Sequence, residues 1–147
     1  MISAQQFTPD LAGRHAVRLE MKRPDAARGH VDGGWWPRSA EPEAEFSELC
    51  AALEPWIGVA SRVSYHLGTW GVASRRIEVN HRVVRLEGFL TMDPHTVVVI
   101  GSDSRRVTLL MVPADTAAEV SRAQLRAAAA TDPTANVEEL RQGSHHG

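Results

Sequence analysis

Ser64 and His66 stand two residues apart in VSYHL, a spacing that puts both side chains on one side of an extended strand. If the fold brought Asp93 or Asp103 close, the three would supply a hydroxyl, a base and an orienting carboxylate for acyl transfer. No Gly-x-Ser-x-Gly elbow surrounds the serine, and polar residues at this spacing ordinarily share a solvated sheet face. The seven histidines raise metal chemistry next. His15, His30, His66, His81 and His95 are isolated, with no His-x-His, His-Glu-x-x-His or Cys-His spacing, and His145 and His146 adjoin near the C-terminus. Cys50, the single cysteine, falls on the apolar stripe of a helix, where a thiol packs as a small hydrophobe. DGGWW, LGTWG and LEGF match neither the phosphate-loop nor the dinucleotide fingerprint. The glutamates cluster on one helix, so no glycosidase-type carboxylate pair is assigned, and the interleaved aromatics and bases of RNA-binding sheets are absent. No catalytic residue, metal ligand or cofactor is therefore expected.

What remains is an aromatic skew: Trp35, Trp36, Trp56 and Trp70 against one tyrosine and three phenylalanines. In GGWWPRS, Pro37 holds Trp36 in extended backbone, and extended neighbours point to opposite sides. One ring of the Trp35–Trp36 pair is thus expected in the core. The other is a candidate contact residue, with Arg38 beside it and Trp70 on a nearby loop. Charge is also uneven. Residues 39–56 carry Glu41, Glu43, Glu45, Glu48 and Glu54 and no base, whereas residues 57–112 carry seven arginines against Glu78, Glu87, Asp93 and Asp103. An acidic helix pairing with an arginine-bearing sheet is the simplest reading, and a basic face for an anionic partner is the alternative.

These residues need elements to position them. HAVRLEMK alternates as a first strand, and RPDAARGHVDGG reads as a loop. A helix follows, capped by Ser39 or opened by Pro42, with Phe46, Leu49, Cys50 and Leu53 on one stripe and Pro55 at its end. In GVASRVSYHL, Val59, Ser61, Val63, Tyr65 and Leu67 share one face, and Arg62, Ser64 and His66 the other. After a GTWG loop, RRIEV and RVVRLEGFL form a hairpin turning at Asn80-His81, then TVVVI and RVTLLMV follow, apolar on both faces. Thr116 to Glu119 has capping-box spacing for a second helix ending near Ala130. The fold class expected is α+β: a single domain in which a curved antiparallel sheet of about five to six strands carries two helices on one face. A partly closed β-barrel with two helices is the alternative. Residues 1–12 are expected to be irregular, 13–130 to form the domain, and 131–147 to be a flexible tail.

At 147 residues the chain suits one domain that needs no disulfide or metal. Its formal net charge of −2 argues against a general nucleic-acid or membrane binder. The N-terminus has no secretory h-region, no apolar run is long enough to cross a bilayer, and the lone cysteine suits a reducing compartment. A cytoplasmic location is expected.

DGGWWPRSAEPEAEFSEL, RVSYHLGTWG, RRIEVNHRVVRLEGF and RVTLLMVP together resemble a family of small actinobacterial proteins defined by a domain of unknown function. The most specific element is Gly-Trp-Trp-Pro-Arg-Ser, Gly34 to Ser39; where such proteins often have leucine next, this chain has Ala40-Glu41-Pro42. The resemblance implies a compact bacterial domain and no particular activity. The reading is a non-catalytic module binding a protein or small-molecule partner through Trp35, Trp36, Arg38, Arg62, His66 and Trp70. A small enzyme using Arg62, Ser64 and His66 is the second possibility, and an RNA- or anion-binding arginine face the third. Membrane is excluded as a partner and nucleic acid is not favoured.

Overall fold

The computed structural model describes residues 16–23, 30–130 and 137–141. Its elements run β1 (Leu19–Met21), β2 (Gly33–Trp35), α1 (Pro42–Ala52), α2 (Glu54–Ile57), β3 (Ala60–His66), α3 (Leu67–Trp70), β4 (Arg76–Val79), β5 (Arg82–Phe89), β6 (Thr96–Gly101), β7 (Arg106–Met111), α4 (Ala118–Ala129) and α5 (Val137–Arg141). The strands form one seven-stranded sheet in the order β1-β2-β7-β6-β3-β5-β4. It is not closed, so the barrel alternative fails.

The sheet is also wider than expected and mixed rather than antiparallel. Its β2 comes from three residues at the end of a glycine-rich segment, two of them glycines with no side-chain pattern to reveal a strand. β2 runs parallel to β7 and β3 parallel to β5. Alternation of apolar residues has the same period in either orientation, so periodicity cannot distinguish them.

Two apolar layers flank this sheet, and the long helices lie on opposite faces rather than one. Phe46, Leu49, Cys50 and Leu53 of α1 pack with Trp35, Val63, Tyr65, Val84, Leu86, Val97, Val99, Val107, Leu109 and Met111. Leu125 and Ala128 of α4 pack with Val31, Trp36, Leu110 and Val112. Consecutive residues of the chain, Trp35 and Trp36 or Leu109 and Leu110, belong to different layers because strand side chains alternate. At β2 and β7 both faces are apolar, so both require cover.

Local chemistry sets several boundaries. Pro42 opens α1 at a position where a missing N–H costs nothing. Ser39 does not cap the helix directly. Its Oγ accepts from the Glu41 N–H (3.3 Å) and donates to Glu45 Oε2 (2.7 Å), and Glu45 Oε1 accepts from the Arg38 N–H (3.1 Å). The capping box expected at Thr116 does not form: α4 begins at Ala118 after Ala117, which puts Glu119 one position too early to reach back. LGTW is one helical turn rather than a loop. A register shift between Ala60 and Arg62 takes Ser61 out of phase with Val63 and Tyr65, and Ser61 Oγ donates to the Ile100 carbonyl (3.1 Å).

Within 131–147, expected as a flexible tail, the described residues 137–141 form α5. Val137 and Leu140 join the layer under α4, and Gln124 Nε2 donates to the Arg141 carbonyl. The expected irregular N-terminus, and His145 and His146, lie outside the described residues.

Candidate functional site

The sequence-derived candidates fall into two regions. At the first, glycine explains the approach of α4 to the sheet. A Cβ on Gly34 would lie 3.0 Å from both Ala128 Cβ and Leu125 Cδ2, so the helix sits directly on the β2 backbone. The two tryptophans then divide between the faces. Trp35, 1% exposed, stacks on Trp70 with centroids 5.8 Å apart and rings 12° from parallel. Phe46 lies 5.9 Å from Trp35, 4.7 Å from Trp70 and 5.3 Å from Tyr65, completing an aromatic cluster.

Trp36, 9% exposed, lies beneath the Arg18 guanidinium, whose carbon is 3.5 Å from the ring centroid. Its Nε1 donates to the Ala114 carbonyl (3.3 Å), and Arg18 donates to the carbonyls of Trp36 (3.0 Å) and Pro37 (2.7 Å). Alternation is as expected, but neither ring is left free for a partner: at β2 both faces of the sheet are covered. Arg38 is exposed, and its Nη2 donates to the Ala16 carbonyl (2.8 Å). Trp70 is buried at the end of α3 rather than displayed on a loop.

A cavity of about 370 Å³ adjoins this cluster, walled by Pro37, Ser39, Ala40, Thr69, Trp70, Met111, Pro113, Ala114 and Asp115. The indole N–H of Trp70 is buried with no acceptor among the described residues.

The second region is the face of β3, β5 and β4 that α1 does not cover. α4 packs over β1, β2 and β7, and beyond β7 the residues pointing to its side are half-buried or exposed, apart from the buried Thr96. The pairing register aligns them. Arg106 of β7 lies opposite Ile100 of β6, Ile100 opposite Arg62 of β3, Arg62 opposite Arg85 of β5, and Arg85 opposite Arg76 of β4. Directly paired residues project from the same face, so four arginines form a row interrupted once by isoleucine. Arg62 reaches Glu87 Oε1 at 3.5 Å. Arg76, Arg85 and Arg106 have no carboxylate within ion-pair distance among the described residues. Like charges opposite one another destabilise a sheet, so setting Arg62, Arg85 and Arg76 side by side works against folding.

Beside the row, β4 stops short of the end of β5, and a groove of about 710 Å³ opens there. The groove wraps the β5 edge, with Tyr65, Leu67, Ala73 and Leu86 of the α1 layer on one side and Arg76, Arg85, Glu87 and Phe89 on the other, and Phe89 remains 43% exposed. From sequence Arg76, Arg85 and Arg106 were only members of the seven-arginine set offered as an alternative basic face, and Phe89 was not a candidate. Strand alternation assigns each to a face, but only the pairing register shows that the arginines share a row.

The acyl-transfer arrangement does not assemble. His66 Nδ1 accepts from the Thr69 N–H (3.1 Å) and lies 2.8 Å from Thr69 Oγ1, so that nitrogen caps α3. A nitrogen accepting from an N–H carries a lone pair already in use. Asp93 accepts from the His95 N–H and Asp103 pairs with Arg105, each within its own turn and neither touching His66. Cys50 is buried, which pushes its thiol up to about 12. Among the described residues, no group of three or more His, Cys, Asp or Glu is placed to hold a metal. No described helix is long and apolar enough to cross a membrane.

Fold and site together define an α+β domain with an open mixed sheet, covered on both faces at one end and bearing arginines on a bare face at the other. The chain belongs to the family of unknown function DUF5994, which matches residues 18–128. That match spans both the aromatic cluster and the arginine row. No curated protein and no solved structure matches the chain.

Proposed function

We propose that the protein is a non-catalytic binding module that holds an anionic ligand on the open face of its sheet. The observation that carries this reading is the row Arg106, Arg62, Arg85 and Arg76, set side by side by the register with three of its members lacking a carboxylate among the described residues. Guanidinium groups match phosphate and carboxylate oxygens in a bidentate geometry, and a cluster of them concentrates anions at its surface. The engagement of His66 Nδ1 in capping α3 argues against the alternative of an enzyme built on Arg62, Ser64 and His66. Titrating the protein with inorganic tripolyphosphate by calorimetry tests the reading. Saturable binding that weakens with salt, and is lost in an Arg76→Gln/Arg85→Gln variant with an unchanged melt, is expected. Binding unaffected by these substitutions refutes it.

A second reading keeps Trp70 as a contact residue. The cavity beside it is of the size that takes a small ligand, and its walls of Pro37, Ala40, Trp70, Met111, Pro113 and Ala114 favour an uncharged, largely apolar molecule. Trp35, Trp36 and Arg38 then act as supports of the cavity region rather than as contacts.

A further inference from the structure

We infer that the ligand of the open face is a single-stranded nucleic acid whose phosphates follow the arginine row across the strands and one of whose bases stacks on Phe89. The inference rests on the anion-binding reading above and specifies its ligand. The first argument is extent. Adjacent strands lie about 4.8 Å apart, so the four strand spacings from Arg106 to Arg76 cover about 19 Å. A single phosphate or a small carboxylate touches one or two members of such a row, whereas an extended polyanion engages them all.

The second argument is composition. The groove that contains Arg75, Arg76 and Arg85 also contains the exposed ring of Phe89, and Phe89 is paired in register with His66. Guanidinium groups along a backbone with an aromatic ring to one side make the combination that holds single strands, in which unstacked bases offer their faces. An acidic peptide would use the arginines but has no counterpart for the ring.

The third argument is shape. Reading a duplex requires a helix or ribbon that enters a groove, and this face is an open sheet. Glu87 and Glu78 lie on the same face, Glu87 bound to Arg62, so a phosphate competes with Glu87 for that arginine and three contacts are free from the outset. The overall charge of −2 conceals this site because it sums the whole chain, including Glu43, Glu45 and Glu48 of α1, which packs on the other face.

The test is fluorescence anisotropy on the full chain with labelled dT12 and rU12, a 12-base-pair duplex, a poly-glutamate peptide and inorganic polyphosphate. At least one of the single strands is expected to bind more tightly than the duplex and the peptide, and whichever of dT12 and rU12 is preferred names the source. With three or four phosphate contacts, affinity falls about 20- to 50-fold between 50 and 200 mM salt. Arg85→Gln reduces the salt slope by about one contact, with the melting temperature retained. Phe89→Ala weakens oligonucleotide binding about ten-fold more than it weakens polyphosphate binding. If polyphosphate binds but the strands bind no better and ignore Phe89→Ala, the nucleic-acid inference falls and the anion reading stands. Equal or tighter binding of duplex or peptide also overturns the inference. If none of the polyanions binds, both readings fall.

Discussion

At the β2–β7 end of the sheet, tryptophan and leucine occupy consecutive positions and both faces are covered; at the β5–β4 end, arginine alternates with apolar residues and only the face beneath α1 is covered. One sheet thus has two kinds of edge. Trp35 and Trp36 of β2, Phe46 of α1, Tyr65 of β3 and Trp70 of α3, the rings that would draw attention as binding residues, are used as core. The open end keeps like charges in a row, of which only Arg62 has a carboxylate partner among the described residues. Buried aromatic rings therefore mark where this molecule is stabilised, and aligned like charge, with the exposed Phe89 beside it, marks where it is available to a partner.

The largest test of that contrast is Trp35→Ala and Trp36→Ala. Both rings are at least nine-tenths buried, so each substitution is expected to cost about 3–5 kcal/mol in thermal or chemical melts. A loss below about 1 kcal/mol at Trp36 would mean that α4 does not cover its face. Leu140→Ala follows. This side chain is 6% exposed and packs in the layer under α4, so about 2–3 kcal/mol and a fall in Tm of roughly 5–10 °C are expected. No measurable change would detach α5 from the covered end.

A pH series adds a smaller effect confined to the α1 layer. Burial raises the folded-state Cys50 thiol from its ordinary 9.0 to about 12, and raises the Tyr65 phenol as well. The unfolded chain therefore loses the Cys50 proton first as pH rises. The stability associated with the neutral thiol is fully present below about pH 9 and declines by about 1 kcal/mol per unit from there towards pH 12. Cys50→Ala should flatten the slope between pH 9 and 10, and native Cys50 should react slowly with a thiol reagent at pH 8. An unaltered slope would place the titration elsewhere.

The smallest effect belongs to the open face. Arg85→Gln removes one like charge from between two others, so stability should change by no more than about 0.5 kcal/mol, and in the stabilising direction, while anion binding falls. Destabilisation by 2 kcal/mol or more would show that Arg85 is part of the fold and would end the contrast between the two regions.

Residue types and their spacing determined a good deal by themselves. The stripe of Phe46, Leu49, Cys50 and Leu53, the turn at Asn80-His81 and the opposite orientations of Trp35 and Trp36 are local consequences of helical period, turn chemistry and extended backbone. Local period also placed Arg62, Ser64 and His66 on one side of β3. Tertiary structure alone decided that β3 lies parallel to β5, that α1 and α4 take opposite faces, and that Leu140 returns to the core. It alone decided, too, that Arg106, Arg62, Arg85 and Arg76 form a row. The physical reason is that alternation specifies which face a side chain takes but not which strand will lie beside it. Pairing between segments tens of residues apart is fixed by the joint burial of both layers, and no single stretch of the chain contains that information.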